Sequence, residues 1–341
     1  MKVLVTGGAG FIGSNFIRHL LQSRGDVEVV NYDKLTYAGN AESLTDIAVD
    51  PRYSFVRGDI ANPGEVERVF RSGSDTVVNF AAETHVDRSI EDVLPFLRTN
   101  IVGTHCLLEA VRRFHVPRFI QISTDEVYGS APAGESFIED TRLNPRSPYA
   151  ASKAAADHFV SAYAITYGVS AVVLRCTNNY GPYQFPEKLI PLMIANARED
   201  RPLPIYGDGL QERDWLFVED YCSAIVLAVE KAKPGAIYNV SAGMPQSNLN
   251  VVRTILRYLG KSESLITFVQ DRPGHDRRYA IDSSKIQREL GWSPRVSFEE
   301  GIRRTIEWYQ ANVSWLDHAR SGEYQTYYER HYIHRGETFK G

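Results

Sequence analysis

Two clusters of side chains in this sequence have the types and spacing for proton chemistry. Tyr149-Ala-Ala-Ser-Lys153 sets a phenol and an ammonium four residues apart, on one face of any helix that carries them. A free phenol ionises near pH 10, so serving as a base near neutrality needs a drop of roughly three units, about 4 kcal/mol. One neighbouring cation supplies roughly one to three units. Lys153 therefore covers part of the shift, and further positive charge must supply the remainder. By itself the same spacing also suits an amphipathic helix with an exposed lysine. The second cluster is Ser123-Thr124-Asp125-Glu126-Val127-Tyr128-Gly129. Thr124 offers a hydroxyl that can bond a substrate oxygen. Asp125 and Glu126 are two consecutive carboxylates, which are unusual straight after a buried strand. A solvated turn would use the same residues, but the tyrosine–lysine pair downstream favours chemistry.

These groups need a scaffold, and the sequence supplies one. β-Branched runs at residues 2–6, 27–32, 53–56, 76–79, 118–123 and 170–175 read as strands. Helical patterns lie between them near residues 11–22, 64–70, 93–114 and 149–167. Such alternation, with near-continuous apolar strands, predicts an α/β fold: a doubly wound, Rossmann-like parallel sheet covered on both faces. Ligands in such sheets bind outside the carboxyl ends of the strands. The strand at 118–123 delivers the Thr124 cluster to that edge.

After Cys176, Pro and Gly become frequent. Helical patterns follow near residues 188–199, 219–230, 250–259, 283–290 and 298–312. The expected division is a cofactor domain over 1–176, with later segments returning to it. A smaller, more irregular substrate lobe covers most of 177–332, and a tail runs from 333 to 341.

The first strand-to-helix turn carries Gly7, Gly10 and Gly13 in a GxxGxxG spacing. Glycine permits positive φ and lets backbone N–H groups approach a pyrophosphate, which the helix N-terminus also attracts. A plain structural turn can hold glycines too. Its place between strand and helix favours a dinucleotide site. Asp33 ends the second strand about twenty residues on, where a carboxylate accepts from a ribose 2′-OH and repels a 2′-phosphate, favouring NAD over NADP. The neighbouring Lys34 works slightly against that preference.

Composition excludes several other classes. Hydrophobic residues make up 43% and charged residues 23% of the 341, enough for a large core with no metal or disulfide staple. The net charge of −4 argues against nucleic acid or an anionic membrane as a partner. Cys106, Cys176 and Cys222 are odd in number, far apart and without a CxxC, so they read as reduced thiols of a cytosolic protein. The histidines form no HExxH, the His331–His334 pair reads as surface, and no metal site is expected. The chain starts in an apolar strand with no signal peptide, and no apolar run is long enough to cross a bilayer.

Taken together, GGAGFIGS, YDKLTYAGN, GDI, AAETHVDRSI, ISTDEVYG, SPYAASKAAAD, NNYGPYQFPEKLIP, PIYGDG, RDWLFVEDY, DRPGHDRRYAID and ELGW are specific. From residue 1 to about 332 the sequence closely resembles the dTDP-glucose 4,6-dehydratases, in the extended short-chain dehydrogenase/reductase superfamily. Thr84 stands where family members often carry serine, and both keep a hydroxyl. The resemblance implies a three-step reaction with retained NAD. Tyr149, paired with Lys153, takes the C4 hydroxyl proton and Thr124 orients that hydroxyl. Glu126 removes the C5 proton, Asp125 protonates the departing C6 hydroxyl, and hydride returns to C6. Cofactor contacts implied are Phe11, Ile12, Asp33, Lys34, Leu35, Thr36, Asp59, Ile60, Ala81, Ala82, Thr99, Tyr149, Lys153 and Asn179. Substrate contacts implied are Thr84, Thr124, Asn178, Lys188, Leu189, Pro204, Ile205, Tyr206, Arg213, Asn248, Asp271, Arg272 and His275. Lys188 after Pro186, with Arg213 and Arg272 as a clamp, would hold the diphosphate.

The resemblance also implies a homodimer, formed through the helices near 93–114 and 149–167. Three alternatives stand beside the dTDP-glucose reading. A UDP-glucose 4,6-dehydratase shares the motifs. A UDP-sugar 4-epimerase shares Tyr149 and Lys153 but has no use for Asp125-Glu126. A non-catalytic NAD-binding regulator has no need of any of the four.

Overall fold

The structure is a computed structural model, which describes residues 1–321 and Tyr328. The His331–His334 pair and the tail from 333 lie outside the described residues. Along the first half run β1 (Lys2–Thr6), α1 (Phe11–Ser23), β2 (Glu28–Asp33), β3 (Tyr53–Arg57), α2 (Pro63–Phe70), β4 (Thr76–Asn79) and α3 (Val86–Glu91). There follow α4 (Leu94–Phe96), a π-helical stretch (Leu97–Gly103), α5 (Thr104–Arg113), β5 (Arg118–Thr124), α6 (Pro148–Tyr167) and β6 (Ala171–Cys176). The second half adds β7 (Asn178–Tyr180), α7 (Leu189–Arg198), β8 (Leu203–Tyr206), β9 (Glu212–Phe217), α8 (Val218–Lys231) and β10 (Ile237–Val240). It ends with β11 (Pro245–Ser247), α9 (Asn248–Leu259), β12 (Ile266–Val269), α10 (Ser284–Leu290), α11 (Phe298–Ala311) and α12 (Val313–Ala319).

Seven strands form one parallel sheet in the order β10-β6-β5-β4-β1-β2-β3. Its inner strands are largely apolar because both faces are covered, while the edge strand β3 is exposed. Side chains alternate between faces. Val3, Val5, Val78, Ile120, Val172 and Leu174 pack with Phe16 and Ile17 of α1 and Ile225 of α8. Their neighbours Leu4, Val77, Phe119, Ala171 and Val173 pack on the other face with Val66 of α2, Leu107 of α5 and Val160 of α6. Each such large side chain stabilises by about 1.5–3 kcal/mol on burial. Chain order reverses between β1 and β4, which opens a crevice at their carboxyl ends.

The second lobe has two small sheets, β11-β9-β7 and β12-β8. Its own core draws Ile190 and Met193 from α7, Val252 and Ile255 from α9, Ile302 and Tyr309 from α11 and Leu316 from α12. The doubly wound sheet with a smaller lobe is as the sequence predicts. The strands of the first half fall within one residue of expectation. The structure adds elements that were not expected: α3, which is short and charged, the short strands β7 to β12, and α12; β10, for example, is a four-residue strand behind Pro234-Gly235 with too little length to show a period. The helix expected over 93–114 is not uniform, because it widens into the π-helical stretch in its middle. Among the described residues no helix is long and apolar enough to cross a membrane.

Candidate active site

The glycine loop is built on steric necessity. Gly7 has φ +70°, and a Cβ there would stand 2.5 Å from the Ala81 nitrogen. A Cβ on Gly13 would stand 2.4 Å from the Gly7 carbonyl oxygen. Gly10 is the N-cap of α1 and no side chain caps that helix, so its first-turn N–H groups are available to an anion. The Asp33 carboxylate at the end of β2 accepts from the Ala9 N–H at 2.9 Å and from the Leu35 N–H at 2.7 Å. Burial pushes its pKa up and these backbone bonds pull it back. Lys34 pairs with Asp59 at 2.9 Å.

A cavity of about 290 Å³ runs from this loop along the carboxyl ends of the strands. Of the expected cofactor contacts, Gly7, Gly10, Phe11, Ile12, Gly13, Asp33, Lys34, Thr36, Asp59, Ile60, Ala81, Ala82, Thr99, Tyr149, Lys153 and Asn179 line it. Leu35 does not; its backbone braces Asp33 instead. Thr124, Asp125 and Glu126 line the same cavity. Sequence reasoning missed Tyr32, Phe80, Ile122, Cys176, Gln184, Phe185 and Glu187 in this wall, since apolar strand ends and a loop glutamate look like ordinary packing. It also missed Asn100 on the π-helical stretch. Asn100 accepts from the Glu83 N–H at 2.9 Å and donates to Ser152 Oγ at 2.8 Å, so it ties the loop after β4 to α6.

A second cavity, of about 180 Å³, is lined by Thr84, Asn178, Lys188, Leu189, Pro204, Ile205, Tyr206, Arg213, Asn248, Arg272 and His275. Asp271 lines neither cavity. It accepts from Gln211 Nε2 at 2.9 Å and lies 2.6 Å from His275 Nδ1. His275 is driven down to a pKa of about 4 by burial and by Arg272 and Arg213. Thr84, Glu126, Asn178, Gln184, Glu187 and Lys188 wall both cavities, and the acid–base cluster stands where the two meet.

The local geometry of that cluster follows from its sequence. Thr124 ends β5 and caps the 3₁₀ turn Asp125–Tyr128, accepting from the Glu126 N–H at 3.2 Å. Asp125 is 3% exposed, and its Oδ2 has no hydrogen-bond partner among the described residues. Burial and the Glu126 charge push its pKa well up. Glu126 is also raised by burial, but Arg272, Arg213 and Lys188 pull it back. Two adjacent carboxyls are thus both raised by burial, with more cationic charge set against the rise at Glu126. Tyr149 enters α6 behind Pro148, with Ser147 capping the helix through the Ala150 N–H at 3.1 Å. The Lys153 ammonium donates to the Ile122 carbonyl at 2.6 Å. The expected lowering of the Tyr149 pKa by Lys153 is not what this structure shows. Burial, then Glu126 and Cys176, push the phenol well up, against a hydrogen bond with Thr124. Desolvation of the phenolate outweighs the nearby cation.

Residues 4–305 match a family model described as GDP-mannose 4,6 dehydratase. The chain is 51% identical to a dTDP-glucose 4,6-dehydratase of Salmonella typhimurium, over 97% of this chain and 99% of the relative. It is 53% identical to another from Neisseria gonorrhoeae, over 91% and 96%. The chain belongs to the dTDP-glucose 4,6-dehydratase family. A family member from Streptomyces venezuelae, DesIV, solved with NAD and TYD bound, superposes with a TM-score of 0.91 at 47% identity over 94% of this chain and all of that one. A UDP-glucose 4-epimerase of Thermus thermophilus, solved in complex with NAD, gives 0.85 at 34% identity over 92% of this chain and all of that one. The scaffold is therefore common to dehydratases and epimerases.

Proposed function

We infer that this chain is a dTDP-glucose 4,6-dehydratase, which removes water from dTDP-glucose to give dTDP-4-keto-6-deoxyglucose. The observation that carries this reading is the Asp125–Glu126 pair at the junction of the cofactor and substrate cavities, in a chain about half identical to enzymes of that name. The residues present fit NAD. The Gly7 and Gly13 backbones leave no room for a Cβ, the α1 N-terminus has no side-chain cap, and a carboxylate closes β2. Bound there, NAD supplies the acceptor for the C4 hydride and the donor for its return to C6.

The side chains divide the remaining work. Tyr149 takes the proton of the C4 hydroxyl, which Thr124 orients. Because burial raises the phenol, Tyr149 keeps its proton until positive charge lies beside it, so Lys153 shares that task with the oxidised nicotinamide. The resulting ketone acidifies the C5 proton, and Glu126 removes it. Asp125 gives its proton to the C6 oxygen as the C–O bond breaks, and water leaves; when hydride comes back to C6, the proton held by Glu126 returns to C5. The surroundings of the two carboxyls support this order: burial raises both, Asp125 more strongly beside the Glu126 charge, while Arg272, Arg213 and Lys188 hold Glu126 back towards its ionised form. Arg213 and Arg272 hold the diphosphate.

Residues 1–176 with the returning β10 carry the cofactor, and most of 177–332 carries the sugar nucleotide. The protein works as a homodimer in the cytoplasm. Supporting the dimer, Leu94 and Ile165 are 71% and 86% exposed on the helices expected to pair, and such apolar surface gains by being covered. The experiment is incubation with dTDP-glucose and UDP-glucose separately, read by mass spectrometry. Loss of water from dTDP-glucose is expected. Mass-neutral conversion of UDP-glucose to its 4-epimer, without dehydration, would refute the reading.

A further inference from the structure

Behind the acid–base turn lies a buried polar network that none of these steps uses. Asp157 is 1% exposed and stands one helical turn after Lys153 on α6. Its Oδ2 accepts from Arg175 Nε of β6 at 2.8 Å, while Oδ1 has no hydrogen-bond partner among the described residues. Arg175 also donates to the Tyr128 hydroxyl at 2.8 Å and the Glu139 carbonyl at 3.3 Å. Tyr128 closes the turn that carries Asp125 and Glu126, and donates to Asn239 Oδ1 of β10 at 2.9 Å. One carboxylate therefore links the helix of Tyr149 and Lys153 to the turn of the acid and the base.

Stability is a poor reason for such a pair. Replacing a buried ion pair by apolar residues is often neutral or stabilising by about 1–4 kcal/mol. Its position is a better one. Lys153 is 5% exposed, and burial drives an ammonium towards its neutral form. The titratable and charged groups around it are Tyr149 and Asp157 on its own helix, Cys176 and Arg175 on β6, and Asp125 at the end of β5, beyond Cys176. Only Asp157 and Cys176 favour the charged lysine, with Asp157 the stronger. The Cys176 thiol is itself pushed up to about 12 by burial, so it is neutral at working pH. That leaves Asp157 as the anion that keeps Lys153 charged.

We propose that Asp157 is a positioning residue of the reaction: its charge holds the Lys153 ammonium behind Tyr149, and Arg175 fixes that carboxylate against the acid–base turn. The inference rests on the roles of Tyr149 and Lys153 proposed above. The test is the pH profile of kcat/KM on dTDP-glucose, measured with thermal unfolding for wild type, Asp157→Asn, Asp157→Glu and the double variant Asp157→Asn/Arg175→Gln. Without the Asp157 charge, Lys153 gives up its proton earlier, so the high-pH limb is expected to move down by about one unit or more. Asp157→Glu restores the charge and returns the limb towards its wild-type place.

Asp157→Asn strands Arg175 and lowers Tm. The double variant removes both charges and recovers Tm, yet keeps the displaced limb. A limb at its wild-type pH in the double variant overturns the proposal, because a merely structural pair moves stability alone. Lys153→Met separates the two layers of inference. If the high-pH limb persists in that variant, Lys153 is not its source and the underlying assignment fails, whatever Asp157 does.

Discussion

Glu126→Gln separates the oxidation from the elimination. The substitution keeps the shape of the side chain and removes only its charge and basicity. Two consequences follow from the structure, with opposite signs. The C5 proton loses its base, which typically costs about 10²–10⁴ in rate, or roughly 3–5.5 kcal/mol of transition-state stabilisation at 1.36 kcal/mol per decade. At the same time, after burial the Glu126 charge does most to hold the Tyr149 phenol up, so removing it eases the first proton transfer. Oxidation at C4 should then run at least as fast as in wild type while water loss stalls. Rapid mixing with dTDP-glucose is expected to show NADH absorbance that rises in one turnover and persists. Mass spectrometry should show product forming at least a hundred-fold more slowly. Wild-type water loss, or NADH formation that falls in step with it, would refute the assignment of Glu126 to the C5 proton.

Tyr149→Phe removes the group proposed to start the reaction, so NADH formation and water loss should fall together by about a hundred-fold or more, with far-ultraviolet circular dichroism unchanged. Gly13→Ala places a methyl 2.4 Å from the Gly7 carbonyl oxygen, so the protein should purify with less NAD, scored after denaturation as NAD per chain; full loading would show that the loop yields. Asp125→Asn tests the buried acid through stability. A carboxyl whose folded pKa is raised favours the fold below its unfolded pKa, near 3.8, and loses that contribution as pH rises towards the folded value. The Tm of the variant relative to wild type should therefore climb above about pH 4 and be highest near neutrality. A flat difference across that range would mean that Asp125 is not buried beside a charge.

Much of this protein was settled by short stretches of sequence. The Gly7–Gly13 loop needs only a strand, three glycines and a helix within the first two dozen residues, so both its place and its purpose were readable. Tyr149 and Lys153 share a face because α6 is a helix, whatever packs on it. The parallel sheet was legible because its inner strands are buried on both faces and read as near-continuous apolar runs. The long roll of substrate contacts came from the resemblance to a family, since Thr84, Arg213 and Arg272 have no local signature.

Other features depended on residues brought together from far apart in the chain. The return of β10 to the edge of the sheet is invisible in four residues. The different surroundings of Asp125 and Glu126 come from Lys188 and Arg272, some 60 to 150 positions away. The rise of the Tyr149 pKa comes from burial, which no spacing of tyrosine and lysine reveals. Backbone conformation is dictated over a few neighbours, whereas dielectric and charge at a buried atom are sums over everything packed around it. The sequence therefore determined which groups this protein has for chemistry, and only the tertiary structure decided how deeply each is buried and which charges stand around it.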